Sequence, residues 1–197
     1  MPEMTDAIVL ADGARVVVRA IRPTDAPGLK AMHERLSETT VYRRYFRVLP
    51  ELSALAAARL TTLEELWRFA LVAIDARGDV VAVARYEGAE GESTAEIALV
   101  VDDAVQRGGL GSELLVRLCD VAHLRGLTAL RAEVLGSNAG MLRLLRRLSL
   151  PTSFTRDADV VTALVSVETA LLDPARVARA LAHSGAVVDP DAMRAPR

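Results

Sequence analysis

A glycine-rich turn between a strand and a helix is the feature that most constrains this chain. An apolar run at residues 97–101 ends in Asp102-Asp103, and Gln106-Arg107-Gly108-Gly109-Leu110-Gly111 follows it. An amphipathic helical pattern starts directly afterwards. Glycine lets the backbone approach a ligand closely, and a helix N-terminus adds free N–H groups and partial positive charge. The segment therefore predicts a phosphate-binding turn, with an ordinary strand-to-helix turn as the alternative.

A single carboxylate, Glu96, interrupts the strand before the turn. Alternation along residues 94–101 puts Glu96 on the opposite face from Ile97, about 17 Å from Val101 at 3.3 Å per residue. Partial burial disfavours the ionised form of a carboxylate, which suits a general base near neutral pH. The alternative is a structural ion pair with Arg85 or Arg131.

The order of the elements predicts an α/β (α+β) fold with a central, mixed but mostly antiparallel sheet of about six to seven strands and helices on both faces. Residues 1–170 form one domain in this interpretation, and residues 171–197 form a short helix and a disordered tail. Strands are expected at residues 7–10, 15–21, 67–75, 79–87, 94–101, 128–135, 152–156 and 159–168. Helices are expected from the N-cap candidates Thr24 or Asp25 to Leu36, from Ser37 until Pro50 breaks it, at 52–60, from Leu110 to Arg125, from Asn138, and at 175–183. The helix from Leu110 has an apolar stripe of Leu110, Leu114, Leu118 and Val121, and the helix from Asn138 has a stripe of Met141, Leu144, Leu145 and Leu148.

Composition excludes several classes of function. The net charge of −2 does not suggest a nucleic-acid or anionic-membrane partner. No apolar run reaches the roughly 18 residues that a membrane span needs, and no signal-peptide pattern is present, so a cytoplasmic location is expected. Cys119 is the only cysteine, and the three histidines lack metal-ligand spacing, so no metal is expected.

The spacing of the turn discriminates between nucleotide-binding motifs. It does not fit the G-x-G-x-x-G dinucleotide fingerprint, and it lacks the Gly-Lys-Ser/Thr of a P-loop. It resembles Q/R-x-x-G-x-G/A, the acetyl-CoA pyrophosphate loop of the GCN5-related N-acetyltransferases (GNAT family). The segment Asn138-Ala139-Gly140-Met141 resembles the helix start that this family places after its fifth strand. In this chain Ser149-Leu150 replaces the family's Gly-Phe, and Leu145 replaces a tyrosine that protonates the departing thiolate in many members.

The resemblance implies acetyl-CoA as co-substrate, a primary amine as acceptor and Glu96 as the catalytic base. It also implies that Asn138 binds the pantetheine arm. Arg143, Arg146 and Arg147 lie on the polar face of the same helix, where one of them contacts the 3′-phosphate or, as the alternative, all three form a solvated basic face. Backbone groups of Leu99, Val100 and Val101 would hold the pantetheine and acetyl groups. The pyrophosphate would bind the amides of Gln106, Arg107, Gly108, Gly109, Leu110, Gly111 and Ser112.

A narrower resemblance covers roughly residues 15–168. Arg19-Ala-Ile-Arg-Pro-Thr-Asp-Ala, Leu36-Ser-Glu-Thr-Thr-Val-Tyr-Arg-Arg-Tyr-Phe, Leu71-Val-Ala-Ile-Asp and Val83-Ala-Arg-Tyr are similar to the Pat-type bacterial protein lysine acetyltransferases. These enzymes acetylate a lysine of acyl-CoA synthetases, which implies a protein lysine as acceptor here. The alternatives are a small-molecule amine acetyltransferase and a non-catalytic acyl-CoA-binding sensor. The oligomeric state is left open.

Overall fold

The computed structural model describes residues 6–168 with the exception of positions 12 and 64. The expected helix at 175–183 and the tail lie outside the described residues. Within the described part, eight strands and five helices follow one another along the chain. The strands are β1 (Asp6–Val9), β2 (Arg15–Ala20), β3 (Arg68–Asp75), β4 (Val80–Glu87), β5 (Thr94–Val101), β6 (Ala129–Leu135), β7 (Thr152–Asp157) and β8 (Val160–Ser166). The helices are α1 (Ala26–Arg35), α2 (Glu38–Tyr45), α3 (Ala54–Thr61), α4 (Leu110–Leu124) and α5 (Ala139–Arg146). None of these helices is long and apolar enough to span a membrane.

All eight strands belong to one sheet in the order β1-β2-β3-β4-β5-β6-β8-β7. Every neighbouring pair is antiparallel except β5 and β6, which are parallel because α4 carries the chain across the sheet between them. The prediction of a mixed, mostly antiparallel sheet with helices on both faces is confirmed. All eight expected strands form and join the sheet, which was expected to hold about six to seven of them. The long run of buried residues in β4 marks it as a central strand.

Helices cover both faces of the sheet and divide the core in two. On one face α4 buries the apolar stripe that its sequence predicts, including Leu114, Leu118 and Val121. On the other face α1 and α3 pack Leu29, Met32 and similar side chains against β3 and β4. The even and odd residues of β5 separate as expected, because Ile97 belongs to the first core and Val100 to the second.

Two local expectations are wrong in detail. Helix α2 ends at Tyr45 rather than at Pro50, because Phe46 adopts the left-handed conformation with φ 55°. In α5 the buried residues are Leu142 and Leu145, whereas Met141 and Leu144, expected in the core stripe, are only partly buried because they face an open cleft.

Asp25 occupies the N-cap position of α1, but its side chain does not cap the helix. Its carboxylate instead accepts two hydrogen bonds of 2.7 Å from the Arg19 guanidinium and one of 2.7 Å from the backbone N–H of Arg22. The carboxylate is 8% exposed, so this ion pair joins β2 to the start of α1 inside the protein. Burial by itself raises the pKa of Asp25, but the hydrogen bonds from Arg19 and Arg22 and their positive charges outweigh it and hold the pKa below its ordinary value of 3.8.

We predict that Asp25→Asn lowers the free energy of unfolding by about 3–5 kcal/mol at pH 7, because it leaves the Arg19 charge buried without its partner. The pKa of Asp25 is lower in the folded protein than in the unfolded chain. The ion pair with Arg19 therefore stabilises the fold fully at pH values above the unfolded-state pKa, and this stabilisation is lost as the pH falls through the folded-state pKa. Urea unfolding from pH 7 to pH 3 measures this effect, and the difference in free energy of unfolding between Asp25→Asn and wild type should shrink below about pH 4.

Asp79→Asn is the control, because this exposed carboxylate pairs only loosely with Arg77 at 3.5 Å. Its loss should stay below about 1 kcal/mol. Equal effects of the two substitutions would contradict the role of Asp25.

Candidate active site

Strands β5 and β6 separate shortly after they meet. Their parallel pairing comprises only Thr94 with Ala129, Ala95 with Leu130 and Glu96 with Arg131. Beyond this point β5 stays paired with β4 as far as Val101, and β6 stays paired with β8 as far as Leu135. One backbone edge of residues 97–101 therefore faces a gap in the sheet. Backbone polar groups at such an edge need partners, which a ligand with amide groups can supply.

A cleft of about 810 Å³ occupies this gap and opens to solvent. Five segments meet around it: the second half of β5, residues 132–134 of β6, the glycine turn, the start of α5 and the C-terminal end of α2. Most of the predicted site residues line it: Glu96, Leu99, Val100, Val101, Gln106, Arg107, Gly109, Gly111, Ser112 and Asn138. The fold thus brings the strand carboxylate and the glycine turn to one cavity, as the sequence predicts.

The glycine turn has the backbone geometry of an anion-binding site. Arg107 and Gly109 have φ values of 68° and 92°, and Gly109 is the N-cap of the 15-residue helix α4. Among the described residues, none accepts a hydrogen bond from the backbone N–H groups of Gly109, Leu110 or Gly111. The N–H of Ser112 differs, because it donates to the carbonyl of Gly109 at 3.0 Å. Unpaired N–H groups at the positive end of a helix favour a phosphate.

Two predicted turn residues meet the core rather than the cleft. Leu110 is 1% exposed and packs in the core, so only its backbone N–H can reach a ligand. Gly108 lies against Leu10. Gly111 is closely packed, because a Cβ there would lie 3.0 Å from Leu144 Cδ1 and 3.3 Å from Leu99 Cδ2, which is tighter than an ordinary contact.

The side chain of Gln106 braces the turn instead of pointing freely into the cleft. Its Nε2 donates to the carbonyl of Val101 at 3.1 Å and to Asp103 Oδ1 at 3.2 Å. Asp103 in turn accepts from the Ser37 backbone N–H at 2.8 Å and from Thr40 Oγ1 at 2.7 Å. These contacts fasten the N-terminus of α2 to the end of β5, a role that sequence analysis missed because the partners lie more than 60 residues apart.

Glu96 lines the cleft, but the partial burial expected from the sequence is not found. Its side chain is 55% exposed, because β5 leaves β6 at this residue and solvent enters from the cleft. Arg131 lies opposite on β6 and contacts Glu96 at 3.5 Å and Glu133 at 3.3 Å. Of the two ion-pair partners considered from the sequence, Arg131 is the one observed; Arg85 pairs with Glu87.

The start of α5 contributes an amide and two arginines. Asn138 Oδ1 accepts from the Met141 N–H at 3.2 Å and caps the helix, and its side chain also lines the cleft. Arg143 and Arg147 line the cleft, whereas Arg146 lies over the Phe154 ring at 5.4 Å and faces another part of the surface. The structure thus separates the three arginines that the sequence could not distinguish.

No tyrosine stands at position 145, and Leu145 is fully buried in the core. The described tyrosine that lines the cleft is Tyr45, at the end of α2. Cys119 is also buried, and burial raises the pKa of its thiol to about 12, so it is a poor nucleophile at neutral pH. In the described part of the chain, no group of three or more His, Cys, Asp and Glu side chains could hold a metal ion.

Comparison with known proteins matches this architecture. Residues 15–150 match the acetyltransferase (GNAT) domain family. An acetyltransferase of Pseudomonas aeruginosa is 30% identical over 138 residues, which cover 67% of this chain and 73% of that protein. The crystal structure of the GNAT domain of S. lividans PAT superposes with a TM-score of 0.76 at 30% identity, covering 82% of this chain and 96% of that one. A cAMP-binding acyltransferase from Mycobacterium smegmatis shares the fold at 24% identity with a TM-score of 0.61, over 88% of this chain and 51% of its own length.

The gap between β5 and β6, the unpaired amides of the turn and these matches together define the class of protein. It is an acetyl-CoA-dependent N-acetyltransferase that acts on an amine acceptor. The chain belongs to the GNAT acetyltransferase family, as its sequence motifs indicate.

We predict that Gly109→Glu weakens acetyl-CoA binding at least about 100-fold, or about 2.8 kcal/mol, because it adds negative charge where the pyrophosphate is expected. Isothermal calorimetry measures this loss. Gly78→Glu is the matched control, because Gly78 has φ +88° with open space around its Cβ position but lies in the β3–β4 turn. It carries the same backbone strain and added charge away from the cleft. Unchanged affinity in Gly109→Glu would contradict a pyrophosphate site at the turn.

Proposed function

We propose that this enzyme transfers the acetyl group of acetyl-CoA to a lysine side chain of a protein, with Glu96 as general base. The observation that carries the proposal is the single cleft that joins the unpaired amides of the glycine turn to Glu96. A lysine of an acyl-CoA synthetase is the specific acceptor that the sequence resemblance implies. A cytoplasmic location belongs to the same proposal.

The cofactor end of the cleft supplies groups that suit acetyl-CoA. The N–H groups of Gly109, Leu110 and Gly111 would bind the pyrophosphate, and Arg143 or Arg147 would bind the 3′-phosphate. The edge of β5 that faces the cleft at residues 99–101 would hydrogen-bond the amides of the pantetheine arm, except at the Val101 carbonyl, which already accepts from Gln106. The NH₂ group of Asn138 remains a donor for the same arm, since the helix cap uses the amide oxygen.

The chemical step follows from the position of Glu96 at the opposite end of the β5 edge. The lysine ammonium loses a proton to Glu96, directly or through a water molecule. The free amine attacks the thioester carbonyl, a C–N bond forms, and the C–S bond breaks. The leaving thiolate takes its proton from water or from the attacking amine, since Leu145 has none to give.

A macromolecular acceptor is supported by the rim of the cleft. Tyr42, Phe46 and Val48, at and after the end of α2, are 47%, 37% and 77% exposed. Phe46 lines the cleft itself. Exposed apolar side chains beside an open cleft are typical of a surface that a partner covers. The resemblance of residues 15–168 to the Pat-type enzymes implies the same acceptor class.

Acetyl-CoA turnover on a panel of acceptors, measured as released thiol, tests the acceptor class. We expect turnover with acyl-CoA synthetase proteins and with lysine peptides, and mass spectrometry should locate the acetyl group on a lysine. Higher kcat/KM on a polyamine, an amino acid or an aminoglycoside would favour the small-molecule alternative. Tight acetyl-CoA binding without turnover on any acceptor would favour the sensor.

We predict that Glu96→Gln lowers kcat by about 10²–10⁴-fold, the usual contribution of a general base. The fold should tolerate the change, because Arg131 keeps its contact with Glu133. Acetyl-CoA affinity should change little, because Glu96 lies at the far end of the β5 edge from the glycine turn. Glu133→Gln is the matched comparison, since Glu133 lines the same cleft and shares Arg131. A folded Glu96→Gln enzyme with near-normal kcat, alongside an inactive Glu133→Gln enzyme, would move the role of base to Glu133.

A further inference from the structure

Helix α2 lies along β5, with its last turn near Glu96. Its first turn is fastened near the C-terminal end of β5, where Thr40 meets Asp103 and Gln106. One turn further along, Arg44 and Tyr45 line a small cavity together with Ala98 and Val100 of β5. Arg44 and Tyr45 also line the main cleft. The end of α2 therefore belongs to the acceptor half of the cleft and not to the glycine turn.

Arg44 differs from the other arginines of this region in its partners. Arg85 pairs with Glu87 at 2.9 Å, and Arg131 pairs with Glu96. No described residue forms a hydrogen bond or an ion pair with the Arg44 guanidinium. The guanidinium carbon lies over the Tyr45 ring, 4.9 Å from the ring centroid. The nearby carboxylates are thus already paired with other arginines.

The surroundings of Arg44 disfavour a lone charge. Desolvation by burial lowers the pKa of Arg44, opposed by the electrostatic effects of Tyr45, Glu96 and Glu87. A guanidinium presents five N–H donors in a planar arrangement that matches a carboxylate. A partly buried guanidinium of this kind, facing an open cleft, is stabilised most by an anion that enters with a ligand.

We propose that Arg44 binds a carboxylate of the acceptor, so that the enzyme prefers a lysine with an aspartate or glutamate close to it. This inference rests on the proposed function and names the chemistry of the acceptor surface. Glu96 receives the amine while Arg44 receives the neighbouring carboxylate, so the acceptor is held by two charges of opposite sign. Arg43 and Arg47 also line the cleft, and both side chains are exposed, which makes this side of the mouth positive.

The phosphates of acetyl-CoA are a poorer match for Arg44. The glycine turn begins beyond Val101, and the distance along β5 from Glu96 to Val101 is about 17 Å at 3.3 Å per residue. Arg107, Arg143 and Arg147 line the cleft on the side of the glycine turn and α5. Arg44 instead lies near enough to Glu96 and Glu87 to interact with their charges.

The test uses pairs of capped peptides that contain one lysine. The two members of a pair carry aspartate or the isosteric asparagine at the same position, which is one or two residues before or after the lysine. We expect wild type to prefer the best aspartate peptide over its asparagine partner by about 10- to 100-fold in kcat/KM, the range for a hydrogen bond to a charged group. In Arg44→Gln this ratio should fall to about 1, and Arg44→Lys should keep part of it because the charge remains. The matched control is Arg59→Gln, an exposed arginine in the last turn of α3 that lies outside the cleft. It should keep the wild-type ratio.

The remaining outcomes separate this inference from the proposed function. Equal rates on all aspartate and asparagine peptides in wild type would overturn the role of Arg44 and leave lysine acetylation standing. Loss of acetyl-CoA binding in Arg44→Gln would also overturn it, because Arg44 would then belong to the cofactor site. Nα-acetyl-lysine and its methylamide complete the panel. Discrimination by Arg44 between these two compounds, with no turnover on any peptide, would support carboxylate binding but reject a protein acceptor.

Discussion

The separation of β5 from β6 after Glu96 is the constraint on which the rest of the site depends. A sheet that stayed paired along both strands would have no cleft and no free backbone edge beside Val101. Both strands remain held on their outer sides, β5 by β4 and β6 by β8, so the gap can open without unravelling the sheet. The cost of unpaired backbone groups at this edge is offset when a ligand with its own amides binds there.

The glycine turn works because its neighbours hold it in place. Gln106 bonds to the end of β5, and Asp103 joins the same point to the start of α2. A second acidic residue, Asp102, pairs with Arg35 at 3.0 Å and so ties the end of β5 to α1. The acidic pair therefore couples the cofactor end of the cleft to the helix that carries Arg44. Rigid support of this kind keeps binding groups in position before the ligand arrives.

Much of this arrangement could be predicted from residues close together in the chain. The spacing of Gly108, Gly109 and Gly111 indicates the turn, the leucines of α4 indicate its buried face, and alternation along β5 separates Glu96 from Ile97. Predictions were wrong where distant parts of the chain decide the outcome. The exposure of Glu96 depends on where β6 leaves β5, and the carboxylate of Asp25 binds Arg19 rather than capping α1. The roles of Gln106 and Tyr45 depend on the position of α2, which no local pattern encodes.

The sequence by itself determined the family, the mostly antiparallel sheet with helices on both faces, and the turn at the start of α4. These follow from backbone conformation and hydrophobic periodicity, which act over a few residues.

Only the tertiary structure decided which charges remain without partners. The arginines and glutamates of α2 and of strands β4, β5 and β6 look alike in the sequence, among them Arg44, Arg85, Arg131, Glu87, Glu96 and Glu133. Folding pairs Arg85 with Glu87 and Arg131 with Glu96, while Arg44 faces the cleft without an acidic partner among the described residues. The physical reason is that an ion pair forms between side chains a few ångströms apart in space, and that distance is set by strand register and helix placement.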